Sequence, residues 1–171
     1  GHRILLQEMV DGQFGITVMN ADGSQRRHYR VNNPQSRHMR WAPNGEMVAY
    51  IGPGNVPAPI QILDLASGRT RVIYSPPNGR WAVSFIWRPD SSSIVLIESS
   101  PSGDPRAEVR EATLDGTQRV VRDIGAEFPK YAPWGFVSKP LTTARNSDEQ
   151  VLFSLSDATA HRLPANHQRY A

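Results

Sequence analysis

Trp41-Ala42-Pro43-Asn44-Gly45 is the stretch that decides the fold, because versions of it return at regular intervals. It recurs as Trp87-Arg88-Pro89-Asp90-Ser91 after 46 residues and, more faintly, as Tyr131-Ala132-Pro133-Trp134-Gly135 after a further 44. A unit of this length cannot bury its own apolar face and must stack on its neighbours. The sequence therefore predicts a repeat architecture.

A second marker has the same period. Predicted hairpin turns at Gly23, Gly68, Gly116 and Thr159 are separated by 45, 48 and 43 residues. Short apolar and β-branched runs flank these turns, no segment shows helical periodicity, and the 14 prolines in 171 residues disfavour long helices. Four short strands per unit are typical of a propeller blade. We therefore predict an all-β fold, a β-propeller of four-stranded antiparallel blades.

The chain divides into about four repeats, at 1–44, 45–90, 91–134 and 135–171. Its ends form the two halves of one more copy: His167-Gln168-Arg169-Tyr170-Ala171 matches residues 38–42 at His, Arg and Ala, and residues 1–6 correspond to 45–50. If the strands of a blade are named A to D from the axis outward, each repeat runs B-C-D-A. Four repeats predict a small closed ring, an arc of a larger propeller, or pairing of two chains.

The repeated motif itself reads as structural. The aromatic residue ends strand A, where its large apolar area is expected to pack between blades. Proline presets φ in the following turn, and Asn or Asp can cap that turn through its side chain. The structural repeat residues predicted in this way are Trp41, Pro43, Gly45, Trp87, Pro89, Asp90, Tyr131 and Pro133.

Recognition is expected on one face of the propeller. The A–B and C–D turns share one face and are short, whereas the B–C and D–A connections share the other and are predicted to be long. These predicted loops are 8–14, 31–37, 52–59, 75–80, 99–106, 123–130 and 142–149, the last following a predicted strand at 136–141. Long loops on a rigid scaffold commonly carry binding residues.

Four basic residues fall on or beside this face: Arg37, Arg80, Arg106 and Lys130. They predict contacts to an acidic or carboxylate-bearing protein partner. The alternative interpretation is that they are solvated loop charges.

Signatures of catalysis and of ligand binding are missing from the sequence. There is no Gly-x-Ser-x-Gly elbow, and the five histidines include no His-Glu-x-x-His pair. Gly52-Pro53-Gly54 lacks the third glycine of a dinucleotide site, and Asn20-Ala21-Asp22-Gly23 lacks the later Glu of a calcium loop. We therefore expect no catalytic, cofactor-binding or metal-binding residues in this chain.

Composition further narrows the possible classes of function. The formal net charge is +3 with a pI near 9.6, and the basic residues are spread along the chain without a run. This pattern favours a solubilising surface over a nucleic-acid site. The chain has no cysteine, which excludes disulfides, and no apolar run approaches the roughly 18 residues of a membrane span, so direct membrane insertion is not expected.

The string Ile16-Thr17-Val18-Met19-Asn20-Ala21-Asp22-Gly23-Ser24-Gln25-Arg26-Arg27, followed by Trp41-Ala42-Pro43-Asn44-Gly45, resembles the TolB-like repeat of the WD-repeat-like β-propellers. That pattern is an apolar strand, Met-Asn/Asp-Ala-Asp-Gly, a basic strand and Trp-Ser-Pro-Asp-Gly. The first repeat fits closely, the second and third well, and the fourth poorly, with Trp134 displaced. The resemblance implies a propeller, commonly extracytoplasmic in bacteria, that serves as a protein-binding platform or accessory domain.

Three functions remain open at this point. The first is a non-catalytic scaffold that binds a protein partner, or the remainder of a larger propeller, through the face with the long loops, with homo-oligomers as a further expectation. The alternative is the substrate-gating propeller of a peptidase or hydrolase whose catalytic domain is absent here. The third is chemistry within the propeller, which a metal or a cluster of His, Asp and Glu on its axis would indicate.

Overall fold

The computed structural model describes residues 3–32, 38–52, 58–77, 80–99, 107–125, 141–145, 150–154 and 160–163. These residues form fourteen strands, as the repeating short apolar runs predict. The strands are β1 (Arg3–Val10), β2 (Gln13–Asn20), β3 (Arg27–Arg30), β4 (Arg40–Trp41), β5 (Met47–Ile51), β6 (Ile60–Asp64), β7 (Thr70–Tyr74), β8 (Trp81–Trp87), β9 (Ser93–Ser99), β10 (Ala107–Thr113), β11 (Gln118–Gly125), β12 (Leu141–Arg145), β13 (Gln150–Ser154) and β14 (Ala160–Leu163).

The strands pair into four separate antiparallel sheets, which we call blades 1 to 4. Blade 1 is β1-β2-β3, blade 2 is β4-β5-β6-β7, blade 3 is β8-β9-β10-β11 and blade 4 is β12-β13-β14. Every pairing joins neighbours in the sequence, so the sheets are up-and-down meanders. The all-β class is confirmed, and blades 2 and 3 are the four-stranded antiparallel sheets that the sequence predicts. Blades 1 and 4 have three strands among the described residues, and blade 1 begins in the B-C-D phase that the ends of the sequence predict.

Two apolar cores join the first three blades. The first core lies between blades 1 and 2; its fully buried members include Ile16, Val48 and Leu63. The second core lies between blades 2 and 3 and includes Ile62 and Phe85. Each fully buried side chain of this size contributes roughly 1.5–3 kcal/mol. The blades are therefore held face to face by apolar packing, as the repeat length requires.

One predicted loop is wrong. The segment 8–14 is a continuous hairpin in which β1 runs to Val10, β2 starts at Gln13, and Met9 pairs with Phe14. Asp11 and Gly12 have φ of 51° and 74°, the positive values that a two-residue type I′ turn needs. The Asp-Gly dipeptide is the sequence signal for this turn, and the prediction of a long loop overlooked it.

Part of the loop predicted at 142–149 is also wrong, because β12 occupies Leu141–Arg145. The β-branched Thr142 and Thr143 favour an extended backbone there. Only Leu141 of the strand predicted at 136–141 lies within the described residues. Residues 126–140 lie outside the described part of the chain.

Candidate functional site

The strand order gives each blade two distinct ends. The short turns β2–β3, β4–β5, β6–β7, β8–β9 and β10–β11 share one end, which we call the turn face. The other end, which we call the loop face, carries the β1–β2, β5–β6 and β9–β10 connections and the connections between successive blades.

Hydrogen bonds within the chain satisfy the polar side chains of the turns on the turn face. Asn44 Oδ1 accepts the N–H of Glu46 at 3.0 Å, and Asp90 Oδ1 accepts the N–H of Ser92 at 3.0 Å, which is the capping that the motif predicts. Asp115 accepts hydrogen bonds from Thr113 and Thr117, and these lower the pKa of its carboxyl to about 2. These side chains stabilise turns, so the described residues of the turn face offer a partner few free hydrogen-bond acceptors.

The β1–β2 hairpin presents apolar surface on the loop face. The cross-strand neighbours Met9 and Phe14 are 55% and 40% exposed, although both are large and apolar. The type I′ turn at Asp11 and Gly12 holds the hairpin closed, so the pair is displayed on a rigid support. Exposed apolar side chains that sit together commonly mark contact sites for other proteins.

A buried charge network lies at the loop-face end of the contact between blades 2 and 3. The carboxylate of Glu98 is fully buried; Arg80 Nε lies 2.8 Å from its Oε1, and Arg110 Nε lies 3.3 Å from its Oε2. Both arginines also pair with Glu108, at 3.5 Å from Arg80 Nη1 and 2.6 Å from Arg110 Nη2. The hydroxyl of Tyr74 in blade 2 donates to Glu98 in blade 3. Burial and this hydrogen bond raise the pKa of Tyr74.

The network bears directly on Arg80, one of the four basic residues predicted to contact a partner. Its side chain is 18% exposed and its guanidinium is engaged by two carboxylates of its own blade. Arg80 therefore has a structural role, and contact with a partner remains a prediction. The other three predicted contacts, Arg37, Arg106 and Lys130, lie outside the described residues, as do Tyr131 and Pro133 of the repeat motif.

A second network occupies the opposite side of blade 3. Glu111 accepts the Ser93 hydroxyl at 2.7 Å, Arg88 Nε at 3.1 Å and Arg119 Nε at 2.9 Å. Burial alone would raise the pKa of Glu111, but these hydrogen bonds outweigh it and lower the pKa to about 2. Glu111 is thus a fixed anion that orders three neighbours rather than a proton-transfer group.

Blade 1 carries a polar cluster on the side that faces away from blade 2. Glu8 pairs with Arg26 at 2.6 Å and accepts the Thr17 hydroxyl, and Thr17 Oγ1 lies 2.9 Å from His28 Nδ1. The imidazole lies over Gly15, where an added Cβ would come within 2.3 Å of the ring. Thr17 is fully buried, so its hydroxyl is not presented to a substrate.

The two motif tryptophans lie between blades. Trp87 is 8% exposed, belongs to the second core and donates its indole N–H to Arg40 O of blade 2 at 3.1 Å. Trp41 packs against the first core, and the guanidinium carbon of Arg3 lies 4.7 Å from the centre of its ring. Arg3 also donates to Gly45 O at 2.5 Å.

The described residues hold neither a metal-binding cluster nor a membrane-spanning helix. Among the described residues, no three His, Cys, Asp or Glu side chains come together in a way that could hold a metal ion. Within the same residues, no helix is long and apolar enough to cross a membrane.

Comparison with solved structures places this architecture among known folds. A protein from Agrobacterium tumefaciens assigned as TolB matches with a TM-score of 0.67 at 17% identity, over 95% of this chain and 61% of its own. The chain has a TolB-like β-propeller fold.

The same propeller fold recurs in proteins of other kinds. A prolyl endopeptidase matches with a TM-score of 0.66 at 13% identity, over 95% of this chain and 28% of its own. A chain of the nidogen–laminin complex matches with a TM-score of 0.58 at 14% identity, over 97% of this chain and 61% of its own. The propeller described here therefore spans about three-fifths or less of these proteins. No protein-family model matches the sequence, and no curated protein matches it either.

Proposed function

We propose that this propeller is a non-catalytic scaffold that binds a protein partner through its loop face. The observation that carries the proposal is the exposed pair Met9 and Phe14 on the rigid β1–β2 hairpin. Aromatic residues and Met are enriched in the buried centres of protein interfaces. A closed hairpin also loses little conformational entropy when it binds, which favours affinity.

Basic residues complete the proposed surface. The sequence predicts Arg37, Arg106 and Lys130 on or beside the loop-face connections, so the proposed partner offers carboxylates in addition to an apolar anchor. Arg80 stabilises the proposed surface, because its ion pairs with Glu98 and Glu108 hold together the adjoining ends of β9 and β10. By its resemblance to TolB-like repeats, we assign the protein to an extracytoplasmic bacterial assembly or to a larger protein.

The experiment compares the natural protein with the variant Met9→Ser/Phe14→Ser. Immobilised protein is exposed to separate cytoplasmic and cell-envelope extracts of the source cells, captured proteins are identified by mass spectrometry, and the dissociation constant of the purified partner is measured. The matched control is Val120→Ser, since Val120 is 48% exposed but lies on outer strand β11.

We expect an envelope protein to bind the natural chain and the control equally, and to bind the double variant at least about tenfold more weakly, which is the scale of losing an interface anchor. Equal binding by all three proteins would show that the hairpin is not the contact. Retention of a cytoplasmic protein alone would contradict the assigned location.

A second candidate is the substrate-gating propeller of a peptidase, which the similarity to a prolyl endopeptidase propeller favours. In that case the parent gene encodes a Gly-x-Ser-x-Gly segment beyond the propeller. Sequencing the complete gene separates the candidates: such a segment would replace the scaffold proposal, and a propeller without it would support the scaffold.

A further inference from the structure

The positive charge of the protein is concentrated on its outer strands. The outermost strands of blades 1, 2 and 3, with the residues that lead into them (25–32, 69–74 and 117–125), carry seven arginines and one carboxylate, Asp123. The whole chain has 19 basic and 16 acidic residues, so the rest carries 12 basic and 15 acidic residues. The basic residues are spread along the sequence because they follow the repeat period, and folding brings the outer strands that carry them to one rim.

Three of these seven arginines are committed to partners. Arg26 pairs with Glu8 at 2.6 Å and Arg119 pairs with Glu111 at 2.5 Å, while Arg27 lies over the ring of Tyr29. Arg69 and Arg71, like Arg30 of β3, are exposed and take part in no ion pair among the described residues. The outer strand of blade 2 therefore carries two cations that nothing described neutralises at contact distance.

Asp64, whose carboxyl is affected by the charge of Arg71, forms no ion pair with Arg69 or Arg71. Hydrogen bonds from Ser67, and to a smaller extent the charge of Arg71, lower the pKa of Asp64. Asp64 Oδ1 already accepts the Ser67 N–H at 2.7 Å and the Ser67 hydroxyl at 2.6 Å. Asp64 is thus held in its turn and leaves the guanidinium of Arg71 available.

Among the described residues, no strand pairs with the outer edge of β7. β7 is the terminal strand of blade 2, and Arg69 extends its ladder, because Arg69 O accepts the Asp64 N–H at 3.0 Å. Arg69 and Arg71 alternate with Thr70 and Val72, so the arginines share one side of the strand and Val72, 51% exposed, lies on the other. Unpaired edges of this kind can accept an additional strand.

We propose that the outer edge of β7 is a docking site for an extended acidic segment of a partner protein, which adds a strand to blade 2. Carboxylates at alternate positions of that segment, about 7 Å apart, match the spacing of Arg69 and Arg71, and an apolar residue next to the carboxylate opposite Arg71 contacts Val72. A second copy of β7 is a poor occupant, because its arginines would face like charges. This site is separate from the loop face and does not depend on the scaffold proposal.

The first test uses a fluorescein-labelled peptide of four Glu-Val repeats and measures its dissociation constant by fluorescence anisotropy. The variant Arg69→Glu/Arg71→Glu is compared with the control Arg27→Glu/Arg30→Glu, which makes the same change of net charge on the outer strand of blade 1. Circular dichroism and thermal melting confirm that both variants fold.

We expect the β7 variant to bind the peptide at least about tenfold more weakly, since two charge-assisted contacts become repulsive, and the β3 control to change binding less than about threefold. Equal weakening by both variants would mean that the rim attracts anions without a specific strand site, and the proposal would fail.

The second test separates strand addition from charge attraction alone. A peptide of the same sequence, N-methylated at alternate residues, keeps its charge but cannot form the edge ladder, and we expect it to lose binding. Binding retained by this peptide, or an affinity for anionic phospholipid vesicles or heparin that β7 and β3 charges support equally, would overturn the proposal in favour of a general polyanion surface.

Discussion

The contact between blades 1 and 2 and the contact between blades 2 and 3 both contain a tyrosine at the same repeat position. The hydroxyl groups of the two tyrosines donate to different kinds of acceptor. Tyr29 of β3 pairs with Ile16, and Tyr74 of β7 pairs with Ile60, so the two tyrosines are equivalent. Tyr29 donates to a backbone carbonyl, Leu65 O, at 2.8 Å. Tyr74 donates instead to the buried carboxylate of Glu98, which two arginines also engage.

The difference arises at the end of strand B. The repeat offset of 46 residues aligns Glu98 with Gly52 of blade 2, where an added Cβ would come within 2.4 Å of the Gln61 side chain. Blade 2 therefore has no side-chain acceptor at this place, and blade 3 has a carboxyl group. The repeat determines where the tyrosine stands, and a single non-repeated residue determines what it binds and how polar the contact becomes.

The largest expected effect is on the buried carboxylate. Glu98→Gln should lower the free energy of unfolding by about 3 kcal/mol, because it leaves Arg80 and Arg110 without their buried counter-charge. Glu8→Gln is the matched control, since Glu8 occupies the equivalent position of blade 1 but lies in an accessible cluster. Urea unfolding should show a clear loss for the first variant and little change for the second. Equal losses would show that the burial of Glu98 between blades 2 and 3 does not increase the cost of removing its charge.

A smaller effect is expected from the tyrosines. Tyr74→Phe should cost about 2 kcal/mol, because its hydroxyl donates to a charged group. Tyr29→Phe should cost about 1 kcal/mol, because it removes a hydrogen bond to a neutral carbonyl. Thermal and urea unfolding of the two variants under one condition provide the measurement, and the reverse order would show that Glu98 is satisfied by its arginines alone.

The smallest effect concerns Ser91, which stands where the first copy of the motif has Gly45. Both residues have positive φ, 62° for Ser91 and 72° for Gly45, and Ser91 is buried. Its hydroxyl accepts the Asn44 N–H of blade 2 at 3.1 Å. The serine therefore carries backbone strain that a glycine would avoid, and it gains a hydrogen bond between blades.

Two substitutions separate these contributions. Ser91→Ala keeps the strain and loses the hydrogen bond, and should destabilise by about 1 kcal/mol. Ser91→Gly loses the bond but relieves strain of similar size, so its unfolding free energy should stay near that of the natural protein. An equal loss for both variants would show that the positive φ of Ser91 carries no cost.

Much of the fold follows from the sequence because its determinants are local and repeated. The turn glycines and the Pro-Asn and Pro-Asp turns specify where hairpins close, and the apolar runs between them specify the strands. β12 shows the limit: the motif degenerates in the fourth repeat, and the extended backbone at Thr142 and Thr143 falls where the sequence predicts a loop.

The site was less predictable, because it depends on contacts between repeats. The Asp11-Gly12 signal was present in the sequence, but the exposure of Met9 and Phe14 follows only from how blade 1 packs. The burial of Arg80 likewise depends on Glu98 and Glu108, which are distant in the sequence. The rim of arginines is visible only when the repeats are superposed in space.

The most direct test of the scaffold is hydrogen–deuterium exchange of the propeller with and without its captured partner. The loop-face account predicts slower exchange across residues 8–14 when the partner is bound, with the turns at 20–24, 64–69 and 113–117 unchanged. Protection confined to those turns, with unchanged exchange in the β1–β2 hairpin, would contradict it.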